Sequence, residues 1–211
     1  MIKELNIFGD IVSNIENIGE VSPTSVKAEL HEITSNDELA INLDCYGGEV
    51  FSAVAIRAII KNSPAKKTFN ILGICASAAN LLFDENDVVN IAKGAMVMNH
   101  KPEGGIRGTA IQMRNQADVL DKIENDILLK NLQSRSKKSI DELSQLIANE
   151  WWLTSDESIL NLGFVGLNSF AVMNHAKTKQ ENIYKNYIEK KKTLNTNVYN
   201  QFINFKKQLT K

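Results

Sequence analysis

Two short segments hold residue types that could together cut an acyl bond. Gly73-Ile74-Cys75-Ala76-Ser77-Ala78-Ala79 offers a hydroxyl nucleophile, and Met96-Val97-Met98-Asn99-His100-Lys101-Pro102 offers an imidazole base. A serine hydroxyl attacks poorly near neutral pH unless a base takes its proton, and the oxyanion formed needs preorganised donors, usually backbone N–H groups. Ser77 follows an apolar strand pattern, Thr68 to Ile74, and precedes Ala78-Ala79-Asn80-Leu81-Leu82-Phe83. A strand, a tight turn and a helix are therefore expected, with Ser77 at the helix start, where unpaired N–H groups gather. The small residues Ala76, Ala78 and Ala79 let a substrate backbone approach closely. A serine at such a place can also be a helix cap and nothing more.

His100 favours the chemical reading. Of three histidines it alone follows an apolar strand pattern and precedes a proline and a Gly104-Gly105 turn, so its ring can project from a sheet edge. His31 sits in a charged amphipathic segment and reads as a surface or half-buried helix residue, while His175 opens a polar tail. Cys45 has no Cys or His neighbour at ligand spacing and reads as a small half-buried thiol, not a nucleophile or metal ligand. No cofactor and no metal are implied.

The elements that must carry these residues alternate. Leu5 to Val12 reads as a strand, Ser22-Pro23 opens a helix to about Thr34, Leu39 to Cys45 is a strand, and Glu49 to Asn62 is an apolar-striped helix. Lys67 to Ile74 is expected as a strand, Ser77 to Asp84 as a helix, and Asp87 to Ile91 and Met96 to Asn99 as short strands. Ile106 to Arg135 reads as one long helix with Ile111, Leu120, Ile123 and Ile127 on a face that periodicity alone would lay on the protein's own sheet. This βαβ order predicts an α/β fold with a mostly parallel sheet. Capping boxes at Ser139 and Thr154 should start two more helices, the second ending near Gly163.

Composition bounds the rest. A chain of 211 residues with 43% hydrophobic content suits one domain with an appendage. Two unpaired cysteines at expected strand ends, no signal-peptide pattern at Met1-Ile2-Lys3-Glu4-Leu5 and no apolar run of bilayer length point to the reducing cytoplasm, away from membranes. From Ala176 to Lys211 nine lysines face two glutamates, a balance of +7, so residues 1–175 carry −8. Aromatic residues interleave with that charge, but no arginine does. The segment reads as a helical or partly disordered arm that docks on a partner protein through Val198, Phe202, Phe205 and Leu209, in preference to nucleic acid. The expected division is a domain at 1–175 and an arm at 176–211.

A Gly-Gly loop, then Ala-Ser, then His-x-Pro, then an acidic residue ahead of a Trp-Leu-Thr-x-x-Glu helix start resembles the ClpP-like serine peptidases, and within them the phage-type head maturation (prohead) proteases. Four blocks carry the resemblance, Ile41 to Val50, Gly73 to Ala79, Met96 to Pro102, and Glu150 to Ser158 with Leu162 to Val165; it covers about residues 5 to 170. It implies a ClpP/crotonase-like spiral of βαβ units with a long handle helix. It makes Ser77 the nucleophile, His100 the base and then acid, and Glu150 the acidic third member. The oxyanion hole would come from the Ala78 N–H and the Gly47-Gly48 loop, where a side chain would block the substrate carbonyl. The resemblance further implies a homo-oligomeric ring, with rings able to stack through the handle, and a polypeptide substrate, here segments of capsid or scaffold proteins. The chain departs from the family in having Glu150 where cellular ClpP enzymes have Asp, and Cys45-Tyr46 where Ser-Pro is usual.

Three rival readings are separable. A housekeeping subunit working with an ATP-driven unfoldase is disfavoured, because only about four residues precede the first expected strand, too few for an axial gate. An inactive ClpP-like structural or interaction protein has only the Cys45-Tyr46 and Glu150 departures in its favour. A crotonase-type acyl-CoA enzyme of the same architecture would need no Ser–His pair.

Overall fold

Strands β1 (Ile2–Ile11), β2 (Glu38–Gly48) and β3 (Lys66–Ala76) are long and parallel to one another. Leu5 and Ile7, then Leu39, Ile41 and Leu43, then Phe69 and Ile71 recur at alternate positions and are all buried. That period of two puts them on one face of the sheet. The computed structural model that shows this describes residues 1–167, so the lysine-rich arm and its docking stripe lie outside the described residues.

The opposite face carries a polar ladder. Asn6, Asn42, Asn70 and Asn90 stand side by side on four neighbouring strands; Asn42 Nδ2 donates to Asn6 Oδ1, Asn70 Nδ2 to Asn42 Oδ1 and Asn90 Nδ2 to Asn70 Oδ1, at 2.9, 3.0 and 2.9 Å. Asn42 and Asn70 are buried. A slip of one residue would leave these amides unsatisfied, so the ladder specifies register as well as adding bonds.

β3 is the strand on which the site depends, because its outer edge is shared. Its first half, Thr68 to Ile71, pairs in parallel with β4 (Val88–Ile91), and its second half, Ile74 to Ala76, with β5 (Met96–Asn99). The ends of β3 and β5 therefore lie side by side. β4 also pairs with the short β7 (Val165–Gly166), and β5 pairs antiparallel with β6 (Trp151–Thr154), giving one seven-stranded mixed sheet.

Helices cover the apolar face. The first, α1 (Pro23–Glu29), starts at a Ser22 capping box and stops short of the expected Thr34, leaving His31 exposed in the turn beyond it. Helix α2 (Val50–Asn62) buries Ser52, Ala53, Ile56 and Ile60 along one stripe. After β3 comes a 3-10 helix, Ser77–Leu82, whose residues after Ser77 are all buried. Phe83 then stacks edge-on against Phe69 and Phe164, with centroids 5.5 and 5.7 Å apart.

The long helix runs in three pieces: α3 (Ala110–Lys122), a π-helical turn at Ile123–Leu128, and α4 (Leu129–Arg135). α3 has no buried residue, and Ile111 and Met113 are exposed. This corrects the expectation of packing on the protein's own sheet for the start of the stripe, at Ile111; Ile123 is buried and Ile127 packs against the core, with Leu129 and Leu132 buried after them. The two capping-box helices form as expected, α5 (Ile140–Ile147) and α6 (Ser155–Leu162), and Gly163 ends α6 in the left-handed region at φ +67.

Candidate active site

Ser77 sits where β3 stops. Its backbone takes φ +55, a left-handed conformation that costs a non-glycine residue roughly 1–3 kcal/mol and needs surrounding contacts to hold it. The turn aims the hydroxyl back toward the end of β5. There Ser77 Oγ lies 2.6 Å from His100 Nε2, within hydrogen-bond reach for proton transfer when Nδ1 carries the ring proton. Both residues are half-buried.

Gly47 backs this turn. A Cβ at its position would come within 2.7 Å of Ala76 O and of Ser77 Cβ, and its φ is +106. Gly48, at φ +134, is equally closed, since a Cβ there would meet Ile11 O at 2.1 Å. The glycine loop thus stands against the nucleophile turn, and Ala78 follows Ser77 as the second residue of the 3-10 helix, among the N–H groups that a helix start leaves unpaired. The Gly47 N–H itself points to Cys45 Sγ, 3.3 Å away.

The acidic residue is placed differently. Glu150 is exposed, has φ +54, and its Oε2 accepts a bond from Trp152 Nε1 at 3.0 Å. It makes no ion pair with His100. The carboxylate in ion-pair reach of His100 Nδ1 is Glu103, with Oε1 at 3.7 Å and its side chain 84% exposed. Sequence reasoning passed over Glu103, although its place three residues after His100 beside the Gly-Gly turn was visible. The structure therefore brings Ser77, His100, Gly47 and Ala78 together, sets Gly48 next to them against Ile11, and leaves Glu150 bonded elsewhere.

The neighbouring groups narrow the chemistry. Burial pushes the Cys45 thiol up to about 11 and the Cys75 thiol well above its usual range, so both stay protonated and neither competes as a nucleophile. Lys101, next to His100, reaches across to the π turn, where Glu124 Oε1 accepts from Lys101 Nζ at 2.7 Å and from Ser144 Oγ at 3.1 Å. A π turn at such a contact is a common companion of functional sites. Behind the pair lies a cavity of about 10 Å³ lined by Ser77, Asn80, Asn99, His100, Asn131 and Leu132 among others, room for one water at most. A groove of about 1120 Å³ between α1 and the end of α2 is lined by His31 and Pro64 among others and does not include Ser77 or His100. Among the described residues no helix is long and apolar enough to cross a membrane.

The chain is similar to known proteins in sequence and in fold. A family model described as Clp protease matches residues 10–166. The chain is 23% identical over 124 residues to the ATP-dependent Clp protease proteolytic subunit 3 of Rhodococcus jostii (strain RHA1); the match takes in 57% of this chain and 60% of that protein. The solved structure of a ClpP1 point mutant from Listeria monocytogenes has the same fold, with a TM-score of 0.66 at 17% identity, covering 79% of this chain and 92% of that one.

Proposed function

The chain belongs to the Clp protease family, and from that premise we propose that it is a serine endopeptidase working through an acyl-enzyme on Ser77. The observation that carries this reading is the 2.6 Å approach of Ser77 Oγ to His100 Nε2 at a strained turn backed by glycine. In the proposed cycle the hydroxyl proton passes to Nε2 as Oγ bonds to the substrate carbonyl carbon. The C–N bond then breaks, and His100 returns the proton to the departing amine. A water next loses a proton to Nε2 and attacks the ester, and Ser77 leaves with that proton. Backbone N–H groups at Ala78 and in the Gly47-Gly48 loop hold the oxyanion in both halves. Glu150 serves as third member by exchanging Trp152 Nε1 for His100 Nδ1, where it would orient the imidazole and stabilise its charged form.

The substrates we propose are extended segments of capsid or scaffold proteins, processed by a ring of this chain in phage or prophage head maturation. The four sequence blocks, in their order and spacing, support that branch. A second reading, a proteolytic subunit that works with an ATP-driven unfoldase, is favoured by the similarity to the ATP-dependent Rhodococcus subunit. Fluorophosphonate labelling tests the chemistry: the wild-type chain should be labelled at Ser77, and Ser77→Ala should abolish labelling with the fold intact. Labelling of Ser77→Ala at an unchanged rate would assign the nucleophile elsewhere. Co-elution with an unfoldase and ATP-dependent casein degradation would favour the second reading over head maturation.

A further inference from the structure

The β3–β5 ladder ends at the pair Ala76 and Met98. Ser77 and His100 both lie past that last rung, so sheet hydrogen bonding does not set the 2.6 Å between them. One side-chain amide crosses the gap. Asn80 Nδ2 donates to Met98 O on the β5 side at 2.9 Å, and to Cys75 O and Ser77 O on the β3 side, each at 3.3 Å. Its two N–H bonds thus serve three carbonyls, one aimed at the histidine strand and one shared across the nucleophile turn.

Nothing in the packing calls for an amide there. Asn80 is 7% exposed and stands in the run Ala78, Ala79, Leu81 and Leu82, all buried. A polar side chain in such a place is disfavoured unless every polar atom finds a partner. Here each does: Oδ1 lies 3.4 Å from Cys75 Sγ, and the Asn80 backbone carbonyl accepts from Asn131 Nδ2 at 2.9 Å. Asn131 in turn accepts from Arg57 Nη1 at 3.1 Å, which anchors the 3-10 helix to α4 and α2 together. The bond to Ser77 O also fixes the carbonyl that the left-handed backbone turns inward.

We infer that Asn80 is a positioning residue that sets the Ser77–His100 geometry for proton transfer; this rests on the reading of those two residues as the catalytic pair. The test uses two variants of the full chain. Asn80→Leu keeps the approximate volume and Asn80→Asp the shape, and at neutral pH both lack the N–H donors. Fluorophosphonate labelling should saturate at a reagent concentration within about twofold of wild type. The labelling rate constant at saturation should fall about ten- to a hundredfold, because small misplacement of reacting groups costs that much. A merely structural role predicts the opposite split, with fewer molecules labelled and the folded ones reacting at the wild-type rate; that result overturns the inference. If wild-type protein is not labelled at Ser77, the peptidase reading fails first and the inference falls with it. A crystal structure of the unmodified chain checks it even if neither variant folds. The Asn80 amide on Met98 O supports it, and an amide turned away with the Ser77–His100 contact intact overturns it.

Discussion

Ser77 and Glu150 share a backbone conformation, φ +55 and +54, and among the described residues no other non-glycine residue has positive φ. Their surroundings differ at every level. Ser77 follows an eleven-residue strand, opens a buried helix, and is held by Asn80 at its carbonyl and by Gly47 at its back. Glu150 sits in an exposed turn ahead of the four-residue β6, steadied by Trp152 through its backbone N–H at 3.1 Å and its indole N–H at 3.0 Å. An unfavourable backbone persists only where contacts over-determine it. The chain supplies those contacts generously at the nucleophile and sparingly at the acid. On the proposed roles, the fold itself preorganises the nucleophile and base ends, whereas the acid has to give up its bond to Trp152 before it can serve the imidazole.

The largest effect should come from filling the contact behind Ser77. Gly47→Ala forces a methyl to within 2.7 Å of Ala76 O and Ser77 Cβ, in a backbone that favours glycine. Fluorophosphonate labelling should drop at least about a hundredfold, the scale at which displaced reacting groups and oxyanion donors are felt. Gly94→Ala is the control, because Gly94 also has positive φ, +88, but a Cβ there meets nothing within 4 Å. It should cost stability of about 1 kcal/mol and leave the labelling rate alone. Equal losses in the two variants would show that backbone strain, and not obstruction of the nucleophile turn, is what Gly47 avoids.

At the acid end the order of the expected losses is the informative part. If Glu150 exchanges its indole partner for His100 Nδ1 during turnover, Glu150→Gln should lower kcat about 10²- to 10³-fold, somewhat less than loss of the acid in a fully assembled triad. Glu103→Gln, which changes an 84% exposed side chain 3.7 Å from Nδ1, should cost no more than about threefold. The reverse order would make Glu103 the acid. No effect from either would describe a Ser–His dyad.

These contrasts track what was legible in the sequence. The apolar runs and capping boxes located β2, β3, α2, α5 and α6 because burial and capping leave local signatures. The Ser77 and His100 segments were legible for the same reason, each sitting at the end of an apolar strand. Strand β6 was not, since Trp151–Thr154 is short, lies between two helix signals, and owes its pairing to β5, more than fifty residues earlier. Glu150, legible for that reason only as an acidic residue ahead of a helix start, stands in a turn entering that strand. The stripe on α3 was misread for a related reason: periodicity reports that a helix has an apolar face, and not what covers it. The asparagine ladder was also invisible, because its four members are far apart in sequence and only parallel register aligns them.

The smallest expected effect separates stability from chemistry. Asp84, just past the 3-10 helix, accepts from Arg57 at 2.8 Å and Lys61 at 3.0 Å on α2, tying the nucleophile's helix to the core. Burial alone would raise its pKa, but bonds from Lys61, the Asn86 N–H and Arg57 outweigh that and hold the carboxyl well below the usual carboxylate range. A depressed folded-state pKa means that the stabilisation is fully present above the unfolded value, about 3.9, and is lost as pH falls through the folded one. Asp84→Asn should therefore lower Tm by about 2–4 °C at pH 7, taking about 1 kcal/mol for a partly exposed pair, and the gap to wild type should narrow steadily below pH 4. Glu150→Gln, with no such tie to the core, should leave Tm unchanged across the same range. A gap for Asp84→Asn that stayed constant down to pH 2 would mean that Asp84 acts through packing rather than charge, and the nucleophile end would then owe its rigidity to Asn80 and the sheet alone.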